Sequence, residues 1–272
     1  MKNILKHKYL ILRRIIQISI ILCFFVGANL GFNFAVGNLS SSLWFDTIPL
    51  SDPFAVLQLI LASFGLGFGA ISITVIIGAL IILLFYALFA GRAFCAWVCP
   101  VNIISDFAVF FSKKLNIKHE IKISNNIRYY LLALSLVLSF ILSTPIFESV
   151  SYIGIIQRGL ILGTTTWLMI AFIIFVIDSF ISPRAICSHI CPLGAFYALV
   201  SVFSLVKIKY NISSCTNCHK CINICPEKQV LSMISKHSAS VDSGECIRCG
   251  RCIEVCDDDA LNFNIFNLRS KK

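Results

Sequence analysis

Cys215-Thr216-Asn217-Cys218-His219-Lys220-Cys221-Ile222-Asn223-Ile224-Cys225-Pro226 decides the reading of this chain, and Cys246-Ile247-Arg248-Cys249-Gly250-Arg251-Cys252-Ile253-Glu254-Val255-Cys256 repeats it. Three cysteines separated by two residues each can wrap one face of a cubane, and the fourth, after a longer step, reaches the neighbouring cluster. The spacing therefore predicts two [4Fe–4S] clusters. One is held by Cys215, Cys218, Cys221 and Cys256, the other by Cys246, Cys249, Cys252 and Cys225. Structural zinc uses isolated tetrahedral sets built from C-x2-C halves, which these two runs fit poorly. A small α+β two-cluster ferredoxin-like domain is expected over residues 206–272. Asp257, Asp258 and Asp259 stand where proline usually follows the fourth cysteine. Acids there suit the N-cap and first turn of a short helix, and carboxylates beside a cluster disfavour adding an electron.

Upstream of this domain the composition changes. The 272 residues are 58% hydrophobic and 13% charged, against roughly 25% charged in soluble domains. Four apolar runs, Ile15–Val36, Ala70–Ala90, Tyr129–Phe147 and Leu160–Ile181, are long enough for a hydrocarbon core that takes about 20 helical residues. The first run is too long for a signal-peptide core, and no small-residue cleavage site follows it. Lys and Arg alternate between the runs as 5, 0, 6, 1 and 11 along the chain. By the positive-inside rule both termini are cytoplasmic. Net charge is +10, but after Asn211 basic and acidic residues nearly balance, so the excess sets topology and implies no nucleic-acid partner. Between Asp52 and Arg92 no charge occurs, too long a stretch for one span. A half-helix from Pro53, set off by Gly65, Gly67 and Gly69, is expected on the periplasmic side.

The chain also repeats itself. At a shift of 92, Arg92-Ala93-Phe94-Cys95 meets Arg184-Ala185-Ile186-Cys187, and Cys99-Pro100 meets Cys191-Pro192. Two hairpins of like orientation follow, related by an axis along the membrane normal. The expected order is a cytoplasmic N-terminus and first span (1–36), the remaining all-α membrane domain with three further spans (37–205), and the ferredoxin domain. Each C-x3-C-P motif lies past the cytoplasmic end of a span, and a spacing of four places both sulfurs on one helical face. Cys95, Cys99, Cys187 and Cys191 are thus candidates for one shared metal or iron–sulfur site, with Arg92 and Arg184 offsetting thiolate charge. Cys23 has no partner and reads as packing, as does the abundance of Phe. Asp178, an acid inside a span, is a functional candidate or a partner for Arg184 or Arg92. His189 reads as a surface or structural residue.

Four spans, two C-x3-C-P motifs and a two-cluster terminal domain, in that order, resemble the NapH family, the ferredoxin-type membrane subunit of quinol dehydrogenases serving periplasmic nitrate reductase. The resemblance covers nearly the whole chain. It implies a bacterial inner-membrane protein that oxidises quinol and passes electrons, with a periplasmic iron–sulfur protein of the NapG type, toward the nitrate reductase system. Related polyferredoxins handle metals or assemble other respiratory enzymes. A metal-reducing or assembly role is therefore the alternative, and a membrane anchor with mainly structural clusters is the third reading.

Overall fold

The structure is a computed structural model and describes residues 7–29, 35–45, 47–64, 72–117 and 123–265. The first apolar run is a helix, Lys8–Asn29, of 22 residues, about 33 Å at 1.5 Å per residue. Among the described residues it is the one continuous helix long and apolar enough to cross a membrane; a second passes only if Ile73–Phe89 and Gly91–Trp97 count as one bent span. The helix starts and stops earlier than the expected Ile15–Val36, and a strand, Ala35–Gly37, occupies the end of that run.

Two compact units divide the chain, and they do not follow the sequential partition expected from the motifs. One gathers Met1–Ile16, Phe85–Val98 and Tyr197–Lys272; the other gathers Gln17–Leu84 and Cys99–Phe196. The first is the α+β unit. Val206–Tyr210 is the centre of an antiparallel sheet, with Ala239–Ser240 on one side and Leu261–Ile265 on the other. Ile208, Tyr210, Leu231, Ile234, Val241 and Leu261 pack into its core together with Cys221, Cys246 and Cys252. The start of helix Lys8–Asn29 is built into this unit. The amides of Tyr9 and Leu10 donate to the Glu254 carboxylate at 2.6 and 2.9 Å, a carboxylate placed where a helix N-terminus leaves N–H groups unpaired. Tyr9 also stands edge-on to Phe263.

The second unit is helical apart from a meander of three short strands, Ala35–Gly37, Ser41–Trp44 and Ile48–Ser51. The half-helix expected from Pro53 is present as Pro53–Ser63. Asp52 caps it through the Ala55 amide, and proline sits in its first turn, where its missing N–H costs nothing. The glycines expected to set it off lie outside the described residues. The third run forms helix Ile127–Leu142. The fourth is broken: Tyr152–Leu162 ends at Gly163 in the left-handed conformation, and a new helix starts at Thr166. Cys23 packs with Phe24, Ile161, Leu39 and Trp44.

Polarity in this unit is inside out. Gln17, Gln58, Gln157, Ser105, Ser139 and Asp178 are buried. Ile73, Leu80, Phe140, Met169 and Phe172 stand exposed, Met169 at 70%. Apolar surface on such a scale is foreign to soluble monomers, whereas bundles in lipid direct polar side chains inward.

Candidate iron–sulfur site

Both cysteine loops have the same backbone. Asn217 and His219 in the first, and Arg248 and Gly250 in the second, all take positive φ (59°, 55°, 50° and 75°). Each pair occupies the same two places relative to the first cysteine of its loop. Left-handed residues cost about 1–2 kcal/mol where a Cβ is present. Left-handed residues of this kind turn N–H groups inward in the nests that recur at phosphate and Fe–S sites, and here the Asn217 amide donates to the Cys215 sulfur at 3.4 Å. A short helix follows each loop, Lys220–Ile224 and Arg251–Glu254.

The thiols are gathered across the two motifs. Cys225, Cys246, Cys249 and Cys252 line one cavity with Pro226, Ile247, Arg248 and Arg251. Cys221 lies within electrostatic reach of Cys256 and Cys215. Burial pushes the Cys225 thiol up to about 12, with Cys249 adding to it. Burial likewise raises Cys246 to about 11 and Cys252 well above the usual thiol range. Thiolates are what a cluster needs; nearby arginines and backbone groups favour them against burial, and bound iron would complete their stabilisation. Among the described residues no three His, Cys, Asp or Glu side chains converge closely enough for a single metal ion. Four thiols spread around one cavity suit a cubane's faces better than one tetrahedral zinc.

Charged side chains surround this cavity unevenly. Arg92 is 1% exposed and donates through Nη1 to Glu227 Oε1 at 2.8 Å and to the Glu245 carbonyl at 3.1 Å. It thereby joins the residue just past Cys225-Pro226 to the residue just before Cys246. Arg248 donates to the Val206 carbonyl and the Ser201 hydroxyl, both at 2.6 Å. Burial lowers its pKa, against the pull of Cys246. Around the first loop the charges are acidic and exposed. Asp258 accepts from the Thr216 amide and hydroxyl at 3.0 and 2.6 Å, which holds its carboxyl below the usual range. Asp257 pairs with Lys220 at 2.8 Å. No helix follows Cys256, which corrects the capping role expected for these aspartates: Asp258 instead ties the end of the second motif to the first.

The C-x3-C-P cysteines are divided between the units. Cys95, on helix Phe94–Trp97, packs with Ala96, Trp97, Ile247 and Cys249. Cys99, Cys187 and Cys191 stand within electrostatic reach of the Tyr152 side chain in the other unit. Neither motif is one continuous helical face. Pro100 and Pro192 each mark the start of the next helix, Val101–Lys114 and Pro192–Val200. Asp178 accepts from the Ser105 hydroxyl and the Ile186 amide. Arg184 pairs with Asp106 and Arg92 with Glu227, so the expected Asp178–arginine pairing is replaced. His189 is half-buried.

Comparison with known proteins agrees with this geometry. A profile described as "4Fe-4S binding domain" matches residues 71–118 and again 164–211, covering each C-x3-C-P motif in turn. One described as "4Fe-4S dicluster domain" matches 207–257. No solved structure matches significantly. Paired nest-forming loops, buried thiols and two matching profiles define a ferredoxin-type iron–sulfur electron-transfer protein in a mostly helical chain. Over 228 residues it is 38% identical to the ferredoxin-type protein NapH of Haemophilus influenzae, 83% of this chain and 77% of that one. It is 35% identical to NapH of Escherichia coli over 83% and 77% of the two chains. The methylamine utilization ferredoxin-type protein MauN of Methylobacillus flagellatus is 36% identical over 84% and 80%. The chain belongs to the NapH-type family of ferredoxin proteins, to which MauN is similar.

Proposed function

We propose that this protein is a multi-pass subunit of the bacterial inner membrane that oxidises quinol and passes electrons through two [4Fe–4S] clusters toward a periplasmic nitrate reductase system. Cys215, Cys218, Cys221 and Cys256 hold one cluster; Cys246, Cys249, Cys252 and Cys225 hold the other. The observation that carries the reading is the first helix. The helix that is long and apolar enough for the membrane begins inside the cluster-bearing unit, its opening amides fixed on Glu254. A cluster domain anchored this way works at a membrane surface, where quinol is the mobile reductant. The exposed apolar faces support four spans, with the N-terminus and ferredoxin domain cytoplasmic.

When bound, the clusters supply one-electron acceptors. The chain's own residues hold the thiolates, turn backbone amides toward them and exclude water by burial. Cys95, Cys99, Cys187 and Cys191 are the candidates for a further metal or cluster, a reading supported by the profile that matches each motif. A periplasmic iron–sulfur protein of the NapG type is the expected partner. MauN relatives are about as similar as NapH ones, which favours a second reading: the quinol-side chemistry is common and the acceptor system differs.

The test is anaerobic reduction of the purified holoprotein in lipid nanodiscs by a water-soluble quinol. Bleaching of the visible cluster absorption supports the reading. Protein with its full iron content that dithionite reduces but quinol does not would overturn it in favour of the metal-reducing or assembly role.

A further inference from the structure

Arg13 is the least explained charged residue in the protein. It lies on the second turn of helix Lys8–Asn29 and is 0% exposed. Among the described residues, none of its three guanidinium nitrogens has a hydrogen-bond partner. A topology signal needs a lysine or arginine in water at the membrane surface. A buried guanidinium with no acceptor is instead one of the costliest groups a fold can contain, and its five N–H donors point to an anion. Its charged neighbours are Cys249, Arg251, Arg14 and Glu254. Glu254 is already engaged by the amides of Tyr9 and Leu10, and two of the others are cations. That leaves Cys249, which lines the cavity shared with Cys225, Cys246 and Cys252, as the anionic group within electrostatic reach.

We infer that Arg13 is a positioning residue for the cluster held by these four cysteines, donating N–H hydrogen bonds to its sulfurs and raising its reduction potential above that of the other cluster. The inference rests on the two-cluster reading above. A [4Fe–4S] cluster with four thiolates is an anion that gains one more negative charge on reduction, so a buried cation beside it favours the reduced form. Arg248 adds to the same side of the balance, since it lies within reach of Cys246, whereas the charge of Arg92 is offset by Glu227. The cluster of Cys215, Cys218 and Cys221 faces a different environment: Cys218 is exposed, Asp258 accepts from Thr216 beside it, and Asp257 is offset by Lys220. The buried cluster next to the membrane helix is then the electron sink of the pair, and the exposed one is the low-potential site facing water.

Potentiometric titration by electron paramagnetic resonance of the full-length holoprotein tests this, comparing the parent with Arg13→Gln, Arg13→Lys, Arg14→Gln and Asp258→Asn. Arg13→Gln should lower the potential of one signal by at least about tenfold in its reduction equilibrium, ~59 mV for a one-electron couple, and leave the other within about twofold. Arg13→Lys should recover part of that shift, and Arg14→Gln should cause little. Asp258→Asn should raise the other signal, identifying it as the Cys215 cluster. Loss of one cluster's iron in Arg13→Gln, with the other intact, also supports the assignment. Two unmoved signals, equal shifts in both, or a shift confined to the signal that Asp258→Asn moves would overturn it. Should Arg13→Gln fail to fold, Arg13→Lys decides: its hydrogen bonds differ from those of arginine, so a shift in one signal alone supports the inference and none refutes it. A parent protein lacking the iron for two clusters would instead refute the underlying reading.

Discussion

Replacing Arg92 by methionine tests whether the buried ion pair holds the two cluster loops together. Arg92 and Glu227 side chains are 2% and 3% exposed, with Nη1 and Oε1 2.8 Å apart. Removing the cation leaves Glu227 buried and uncompensated, which costs about 3–5 kcal/mol. At 1.36 kcal/mol per decade that is roughly two to four powers of ten in the folding equilibrium. Glu245, whose carboxylate lies 3.5 Å from Arg92, loses the same cation and adds to the cost. The double variant Arg92→Met, Glu227→Gln removes the stranded charge. What remains is Glu245, its carbonyl without a donor at about 1–3 kcal/mol and its carboxylate without the nearby cation, so part of the loss should return. The assay is an anaerobic urea titration of the detergent-purified holoprotein, followed by cluster absorption and by Trp fluorescence. Cofactor release prevents a simple two-state treatment, so differences between variants under one protocol are compared. A single variant costing less than about 1 kcal/mol, or a double variant no more stable than the single, would refute the idea that Arg92 is a charge partner.

Two further outcomes follow from the same geometry. Cys225→Ser should perturb the cluster of Cys246, Cys249 and Cys252, because those thiols share its cavity; spectra in which only the Cys215 cluster changes would break the crossed assignment. Reporter fusions after Ser41 and at Lys272 should report opposite sides of the membrane, and a periplasmic signal at Lys272 would sink the proposed topology.

What could be read from the sequence was whatever the covalent chain itself enforces. The x2 spacing of the cysteines brings three thiols together however the rest folds, and Cys225 and Cys256 follow at a fixed remove. The half-helix at Pro53 was legible because Asp52 and Pro53 are a start signal with a local mechanism. The break at Gly163 was present in Gly163-Thr164-Thr165-Thr166, but a count of apolar residues hides a left-handed cap inside a hydrophobic run. The roles of Arg13 and Arg92 were not legible. Lys and Arg near apolar runs are read as topology signals, and nothing local distinguishes one in water from one buried beside a thiol 236 positions away or a carboxylate 135 positions away. Nor did spacing reveal Asp258 tying the end of one motif to Thr216 in the other, because that contact depends on the fold returning the chain upon itself.

Sequence equivalence between the repeated motifs also does not carry through to structure. In the first copy the left-handed residue is Gly91, φ +53°, and Arg92 follows it in the bridge region. In the second, proline occupies the place equivalent to Gly91, and proline's ring excludes positive φ. The left-handed turn moves one residue on, to Arg184 at φ +59°, at a cost of about 1–2 kcal/mol. A one-residue displacement of the turn redirects everything attached to it. Arg92 is directed to Glu227 and Glu245 in the cluster-bearing unit, while Arg184 meets Asp106 within the helical unit. The helices diverge as well, a 3-10 turn and α-helix carrying Cys95 against a π-helix carrying Cys187. The duplicated string therefore supplies one arginine to each unit, and the boundary between units falls inside the first copy, between Val98 and Cys99. Substituting the two arginines should accordingly have separable effects: Arg92 on cluster retention and Arg184 on the integrity of the helical unit.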